Sequence, residues 1–226
     1  MEQTNLYLAL GSLLFVALIL ASAVRRYQEV MAERRMRIKR VLRGVDLLQD
    51  LFYRISGCPL PMELEKVLRQ DILARFQKVK QIDARYREID RMIEDAEQAA
   101  NQVVENQRFG IQDKLQLNKI TQALGEMIGF LRNGTLLSPL SAEQARRYSE
   151  LVGIRRSECV YRYHIEQAKS LHEENRVHEA LGHCNSIKTF LKEHGPSSDQ
   201  VKGWYDEAEE LRKALSEPGD SSAPAA

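Results

Sequence analysis

The sequence predicts an all-α protein built on long helices, and three observations carry that expectation. Chain breakers are scarce, with 12 Gly and 6 Pro in 226 residues. Charged residues reach 29% while aromatics stay at 7%, a balance that favours helix over sheet. Apolar residues recur at intervals of three and four over most of the chain, the period of a helix face.

The first element is an anchor. Leu6 to Val24 reads LYLALGSLLFVALILASAV, without a charge and with Gly11, Ser12 and Ser22 as its soft spots. At 1.5 Å per residue this run spans roughly 28 Å, close to the ~30 Å hydrocarbon core of a bilayer. Ala21-Ser22-Ala23 has the look of a signal-peptidase site. However, MEQTN carries no positive charge ahead of the run, and Arg25-Arg26 follows it at once, so an uncleaved transmembrane helix is expected.

Charge then sets the expected orientation. From Arg25 to Arg54 there are nine Arg and Lys against four Asp and Glu, whereas the chain from Ser56 onward is acidic on balance. The residues expected at anionic headgroups are Arg25, Arg26, Arg34, Arg35, Arg37, Lys39, Arg40 and Arg43. The positive-inside rule therefore gives a single-pass protein of the cell's inner (cytoplasmic) membrane. Residues 1–5 form a short outer tail, 6–24 the span, and the remainder lies in the cytoplasm. A basic stripe on the folded part is missing, which argues against nucleic acid as a partner.

Met31, Ile38, Val41, Val45, Leu48, Phe52 and Ile55 keep a 3–4 spacing apart from Arg34, so the helix is expected to continue from the anchor to about Ser56. Gly57-Cys58-Pro59-Leu60-Pro61 ends it, because two prolines in three residues cannot continue a helix. From Met62 to about Arg108 no Pro or Gly occurs. Val79, Ile82, Tyr86, Ile89, Ile93, Ala96, Ala100 and Val103 make a heptad-like seam there, and Lys80, Asp83, Arg85, Arg87, Glu88, Asp90 and Arg91 alternate in charge beside it. A second helix follows on Ile111, Leu117, Ile120, Leu124, Met127 and Leu131. Residues 62–133 thus read as a coiled-coil-like antiparallel hairpin, with a homodimer through the long seam as the alternative.

Asn133-Gly134 and Ser138-Pro139 mark a boundary, and Asn133-Gly134-Thr135 is a glycosylation tripeptide that reads as an ordinary loop. Ser141 and Gln144 fit a capping box for a helix to about Glu174. Asn175-Arg176 turns the chain into a helix from Val177 to about His194. Gly195-Pro196-Ser197-Ser198 stops that helix, and a last one ends near Leu215. Residues 141–215 are expected to form a C-terminal helical domain, and 216–226 (from Ser216, then EPGDSSAPAA) a disordered tail.

Within that domain, Ala168, Leu171, Asn175, Arg176, Ala180 and Leu181 resemble the inner part of a tetratricopeptide repeat. The likeness covers about residues 160–194 and occurs once, whereas stacked arrays use three or more repeats. It departs from the family pattern where Glu174-Asn175 replaces the usual Gly. The resemblance implies a helical hairpin that binds a peptide or another protein.

Candidate chemistry is sparse. His178-Glu179-Ala180-Leu181-Gly182-His183 evokes a zinc helix, but the i, i+5 spacing turns the second ring about 140° from the first. Cys58, Cys159 and Cys184 are an odd, dispersed set, not a disulfide framework, and suit a reducing compartment. Cys159 and Cys184 read as small core residues and Cys58 as a plain turn residue. No glycine-rich phosphate loop occurs. The reading is therefore not an enzyme, with no cofactor, no metal site and no evident small-molecule substrate. A membrane-anchored scaffold or adaptor is expected, with a structural subunit of a larger envelope complex as the alternative. Trp204, Tyr205, His172 and Arg176 are the candidate contacts to a protein partner, although packing of the last helix onto the preceding hairpin is the preferred reading of Trp204.

Overall fold

The computed structural model describes residues 2–102 and 109–216; side chains are described for Phe15 and from residue 18 onward within those ranges. Among the described residues there are seven helices and no strand. They are α1 (Glu2–Arg54), α2 (Met62–Ile82), α3 (Ile89–Asn101), α4 (Lys114–Arg132), α5 (Ala142–Glu173), α6 (Val177–His194) and α7 (Asp199–Ser216). The predicted outer tail is thus already helical from Glu2, and the helix that begins there runs unbroken through the basic stretch. Among the described residues no helix is long and apolar enough to cross a membrane. Most side chains of the Leu6–Val24 run fall outside the described residues, as do Val103 at the end of the predicted seam and the predicted tail after Ser216.

The C-terminal half of α1 enters the core with the expected seam. Ile38, Val45, Leu48 and Ile55 are buried, with Val41 and Phe52 packed beside them. Leu51, buried at 1% exposure, broadens the seam into a stripe wide enough to meet two partners, α2 and α4. At the end of the helix Arg54 binds Glu126 of α4 and Asp50 of its own previous turn.

The predicted long helix after Met62 is two helices. Asp83 leaves α2 in an extended conformation, and its Oδ1 accepts from the backbone N–H of Arg85 at 3.1 Å. This local bond gives the backbone an alternative to helix, which is how short acidic side chains terminate one. Glu88, at a φ of 60°, completes the reversal into α3. The seam therefore folds back on itself. Val79 of α2 and Ile89, Ala96 and Ala100 of α3 are buried, and Lys80 pairs with Asp90 at 2.8 Å across the turn. The predicted 62–133 hairpin is replaced by two pairings, α2 with α3 and α4 with α5.

Nor does the break at 133–141 divide two domains. α5 has 32 residues, roughly 48 Å, so one helix serves two cores. As far as Val160 it places Tyr148, Val152, Cys159 and Val160 in the main core with α1, α2 and α4. Beyond Val160 it gives Ile165 and Ala168 to smaller clusters with α6 and α7. The capping box forms as expected: Ser141 Oγ accepts from Gln144 N at 3.1 Å, and Gln144 Oε1 accepts from Ser141 N at 3.1 Å.

One buried ion pair ties the 133–140 loop to this frame. Arg75 Nε donates to Asp71 Oδ2 at 2.6 Å, and Arg75 Nη2 donates to the Thr135 carbonyl at 2.6 Å. The other Asp71 oxygen accepts from Leu137 N at 2.6 Å. The guanidinium passes so close to α1 that a Cβ on Gly44 would stand 2.0 Å from Arg75 Nη1. Helix propensity alone favours Gly→Ala in mid-helix by about 0.5–1 kcal/mol. Here the opposite sign is expected, because Arg75 is held at both ends and cannot swing away freely. Gly44→Ala should lower the thermal midpoint of the full-length protein in detergent; a raised midpoint would mean that the guanidinium moves aside.

Candidate functional site

Two surfaces and one buried cluster hold the side chains singled out from sequence. On α1, all eight basic residues from Arg25 to Arg43 are exposed. Two carry helical partners of opposite charge one turn away: Arg25 Nε binds Glu29 at 3.1 Å and Arg37 Nη2 binds Glu33 at 2.5 Å. These pairs are exposed and contribute little to stability. Exposed Tyr27, Val30 and Met36 share the same stretch, so α1 projects with apolar side chains uncovered before Ile38 begins the core.

The second surface is the α5–α6–α7 layer. Ala168 and Ala180 are both fully buried where α5 and α6 approach, with Cys184 and Leu215 closing the cluster. The turn between them depends on Asn175 at a φ of 62° and on Arg176 N donating to the Leu171 carbonyl at 2.8 Å. Arg176 grips Glu179 through two nitrogens, at 2.8 and 2.7 Å, and reaches Glu174 at 2.9 Å. These carboxylates hold its pKa above the ordinary arginine value and, in return, keep Glu179 below the carboxylate range. The side chain expected at a partner is thus an exposed brace for its own turn. His172 is exposed one turn earlier.

Trp204 and Tyr205 are only half-exposed, and each has a covering group inside the chain. The indole of Trp204 stacks on Tyr161 of α5 with centroids 5.4 Å apart and planes 15° from parallel. Lys188 Nζ of α6 stands 5.5 Å from the centre of the Tyr205 ring. Tyr161 in turn donates its hydroxyl to Glu207, and burial together with that carboxylate pushes its pKa up. This is the packing role that the sequence offered for Trp204, and it leaves a partner only part of each ring.

Three features carry no local motif in the sequence. His164 on α5 and His183 on α6 meet at 2.9 Å between their Nδ1 atoms, so one ring must donate and the other accept. Burial, then the neighbouring His183, then Lys114 draw the His164 pKa down to about 4, and His183 is lowered by burial and Lys114. His178 is exposed on α6, while His183 turns inward, as the i, i+5 argument requires. Among the described residues no group of three or more His, Cys, Asp and Glu side chains could hold a metal ion. The second feature is Cys58: it is not an exposed turn residue but is 5% exposed, with its sulfur against that of Cys159. The third is a cleft of about 550 Å³ where α1, α2 and α3 meet, lined by Leu42, Val45, Phe52, Ile72, Phe76 and Met92, with Asp46, Arg69 and Asp95 among its polar residues. The histidines are 19 residues apart, the cysteines 101, and the cleft draws on three helices, so no local motif could have revealed these contacts.

Among known proteins, no family model, no curated protein and no solved structure matches this chain.

Proposed function

We propose that the chain is a membrane-anchored helical scaffold that holds a folded α-helical domain at a bilayer surface and presents its C-terminal layer to a protein partner. The observation that carries this reading is the continuity of α1. A single helix from Glu2 to Arg54 joins the apolar run 6–24 to residues packed in the core, with an exposed basic stretch between them. A rigid connection of this kind fixes the distance and angle of a domain to its anchor, and anchoring raises the effective concentration of a weak binder near other membrane components.

Geometry divides the basic residues. If α1 stands upright, Arg25 and Arg26 lie within a turn of the hydrocarbon edge and meet headgroups directly, each contributing about 1 kcal/mol on an anionic leaflet. Arg34 sits roughly 15 Å farther along the axis and Arg43 roughly 28 Å, both beyond the ~8–10 Å screening length of physiological salt. Arg34, Arg35, Arg37, Lys39, Arg40 and Arg43 therefore reach headgroups only if α1 tilts onto the surface; upright, they face an acidic partner. The likeness of residues 160–194 to a tetratricopeptide hairpin supports a peptide or protein as the ligand of the C-terminal layer.

A second reading, a subunit of a larger envelope complex, draws on the uncovered Tyr27, Val30 and Met36 on the projecting part of α1. Another protein's helix would cover them, and detergent extraction would then give an unstable or aggregating species instead of a defined self-assembled one.

The test is extraction of the full-length protein from its membranes. It should stay in the pellet through high salt and alkaline carbonate and leave only with detergent. Removal of residues 1–24 should move it to the supernatant in low salt or, at most, leave binding that salt abolishes. Release of the full-length protein by salt alone would overturn the anchor.

A further inference from the structure

We infer that Cys58 and Cys159 are a thiol pair that closes into an intramolecular disulfide when a hydroperoxide reaches it. The pair was invisible in the sequence: 101 residues separate the two cysteines, one in a proline-rich turn and one in the middle of α5. In the fold their sulfurs stand 2.8 Å apart, closer than two non-bonded sulfurs ordinarily approach, and both residues are free thiols. A disulfide needs ~2.05 Å, so the sulfurs have less than 1 Å left to close, together with a turn of the Cβ–S–S–Cβ dihedral to about 90°.

The surroundings hold this juxtaposition in place. The turn carrying Cys58 is pinned on both sides: Cys58 N donates to the Ile55 carbonyl at 2.8 Å, and the Gly57 carbonyl accepts from Gly110 N at 2.9 Å. Gly57 has no room to shift toward α4, since a Cβ there would meet the Gln116 amide at 2.9 Å. Cys159 is wholly buried on α5, with its neighbour Glu158 clamped by Arg155 and Arg162 at 2.7 and 2.8 Å. These contacts hold in place the two backbones that carry the sulfurs.

Access is one-sided. Cys58 lines an open cleft of about 370 Å³ together with Phe52, Pro59, Leu60, Glu65 and Arg69, while Cys159 lines none of the clefts described. A small peroxide fits this cleft, and it is the oxidant class assigned to the pair. The Cys58 thiolate attacks one peroxide oxygen, the O–O bond breaks, and the alkoxide or hydroxide takes a proton, leaving a sulfenic acid on Cys58. The Cys159 sulfur then attacks that sulfur, its proton leaves with the departing hydroxide as water, and the S–S bond forms. In sum two thiols are oxidised by two electrons and one peroxide is reduced to water and an alcohol, or to two waters. Cys184 lies apart, buried between α5 and α6, and stays reduced.

The bond would join the α1–α2 turn to α5 and close a loop of about a hundred residues. Such loops constrain the unfolded chain strongly, so oxidation should raise the thermal midpoint and a reductant should restore the original value. The inference does not depend on the membrane reading, because the pair lies inside the folded part and peroxide crosses membranes.

The experiment treats the full-length protein, in membranes and in detergent, with hydrogen peroxide, then denatures it and maps its thiols by maleimide labelling and peptide mass. The expected result is loss of two of the three labelled thiols, reversed by dithiothreitol, with a Cys58–Cys159 linked peptide two hydrogens lighter than its reduced parts. Cys184→Ala should give the same linked peptide, Cys58→Ala and Cys159→Ala should give none, and the wild-type chain oxidised in denaturant should give far less of it. Three thiols persisting after treatment, or linkage through Cys184 or between chains, would overturn the assignment.

Discussion

Asp71→Ala should destabilise the protein by about 3–5 kcal/mol, the largest loss expected from any single side chain outside the apolar core. Asp71 and Arg75 lie one helical turn apart on α2, at 5% and 6% exposure, so neither charge is well solvated. Each is nevertheless fully used. The carboxylate accepts from the Arg75 guanidinium and from Leu137 N, and the guanidinium also donates to the Thr135 carbonyl. Removing the carboxylate strands a buried cation and a backbone N–H together, and a buried charge without its partner costs far more than the intact pair contributes. The same change frees the 133–140 loop, which Asp71 and Arg75 tie to α2. Denaturant unfolding of the full-length protein in detergent checks this. Asp71→Asn, which keeps an acceptor for Leu137 N but loses the charge, should fall between wild type and Asp71→Ala. A loss below about 1 kcal/mol for Asp71→Ala would mean that water reaches Arg75 and that the loop is held by Leu136 packing alone.

The clamp also shows what the sequence could and could not disclose. Nothing in the local sequence sets Asp71 and Arg75, at i, i+4, apart from a neighbouring pair such as Glu65 and Arg69. The close pass of α1 at Gly44 and the arrival of residues 135–137, some sixty positions away, bury them. Local signals fared well wherever the competing states were local. Ser141 with Gln144 marked the start of α5, Pro59 with Pro61 ended α1, and Asn175-Arg176 turned α5 into α6. Each of those positions is governed by backbone chemistry within four residues. The seam from Val79 to Ala100 misled for the opposite reason. Its 3–4 spacing is continuous across Asp83, but spacing reports which residues are apolar, not whether the helix between them is unbroken. The Asp83 side chain bonding to Arg85 N decides that, and a heptad pattern is then satisfied by two helices facing each other. The same blindness hid the cysteine pair and the histidine pair, whose members sit on different elements.

Those pairings also give the molecule its mechanical character. α5 carries the main core as far as Val160 and the α6–α7 layer mostly beyond it, so a load on the C-terminal layer would pull on the helix that packs beside α4. α4 in turn meets α1 directly, through Arg54 and Glu126 among others, and α1 continues toward the predicted anchor. Packed helices transmit displacement poorly by bending and well by moving as units. A load on the C-terminal layer would therefore reach α1 through two packed interfaces, not through a flexible linker. This rigidity is what a scaffold needs if it is to hold a partner at a fixed height above a bilayer.

Acidification from about pH 6.5 to pH 4 should weaken this same interface between α5 and α6. His164 is buried at 9% exposure against His183, and its pKa is drawn down to about 4 by burial, by His183 and by Lys114. In the unfolded chain the same imidazole takes up a proton near pH 6.5. Between those two values the unfolded state binds a proton that the folded state refuses, so stability falls as pH falls and is fully recovered above about pH 6.5. The full depression corresponds to roughly 3 kcal/mol, and a pair of rings sharing one hydrogen bond at 2.9 Å cannot both be charged without separating. Carboxylates also titrate near the lower end of this window, so the comparison that isolates the histidine is wild type against His164→Gln. The variant keeps a side chain able to hydrogen-bond His183 but has no proton to gain, and its unfolding midpoint should change less between pH 6.5 and pH 4.5. Parallel pH profiles for the two proteins would show that water enters beside His164 and that the pair titrates as exposed histidines do.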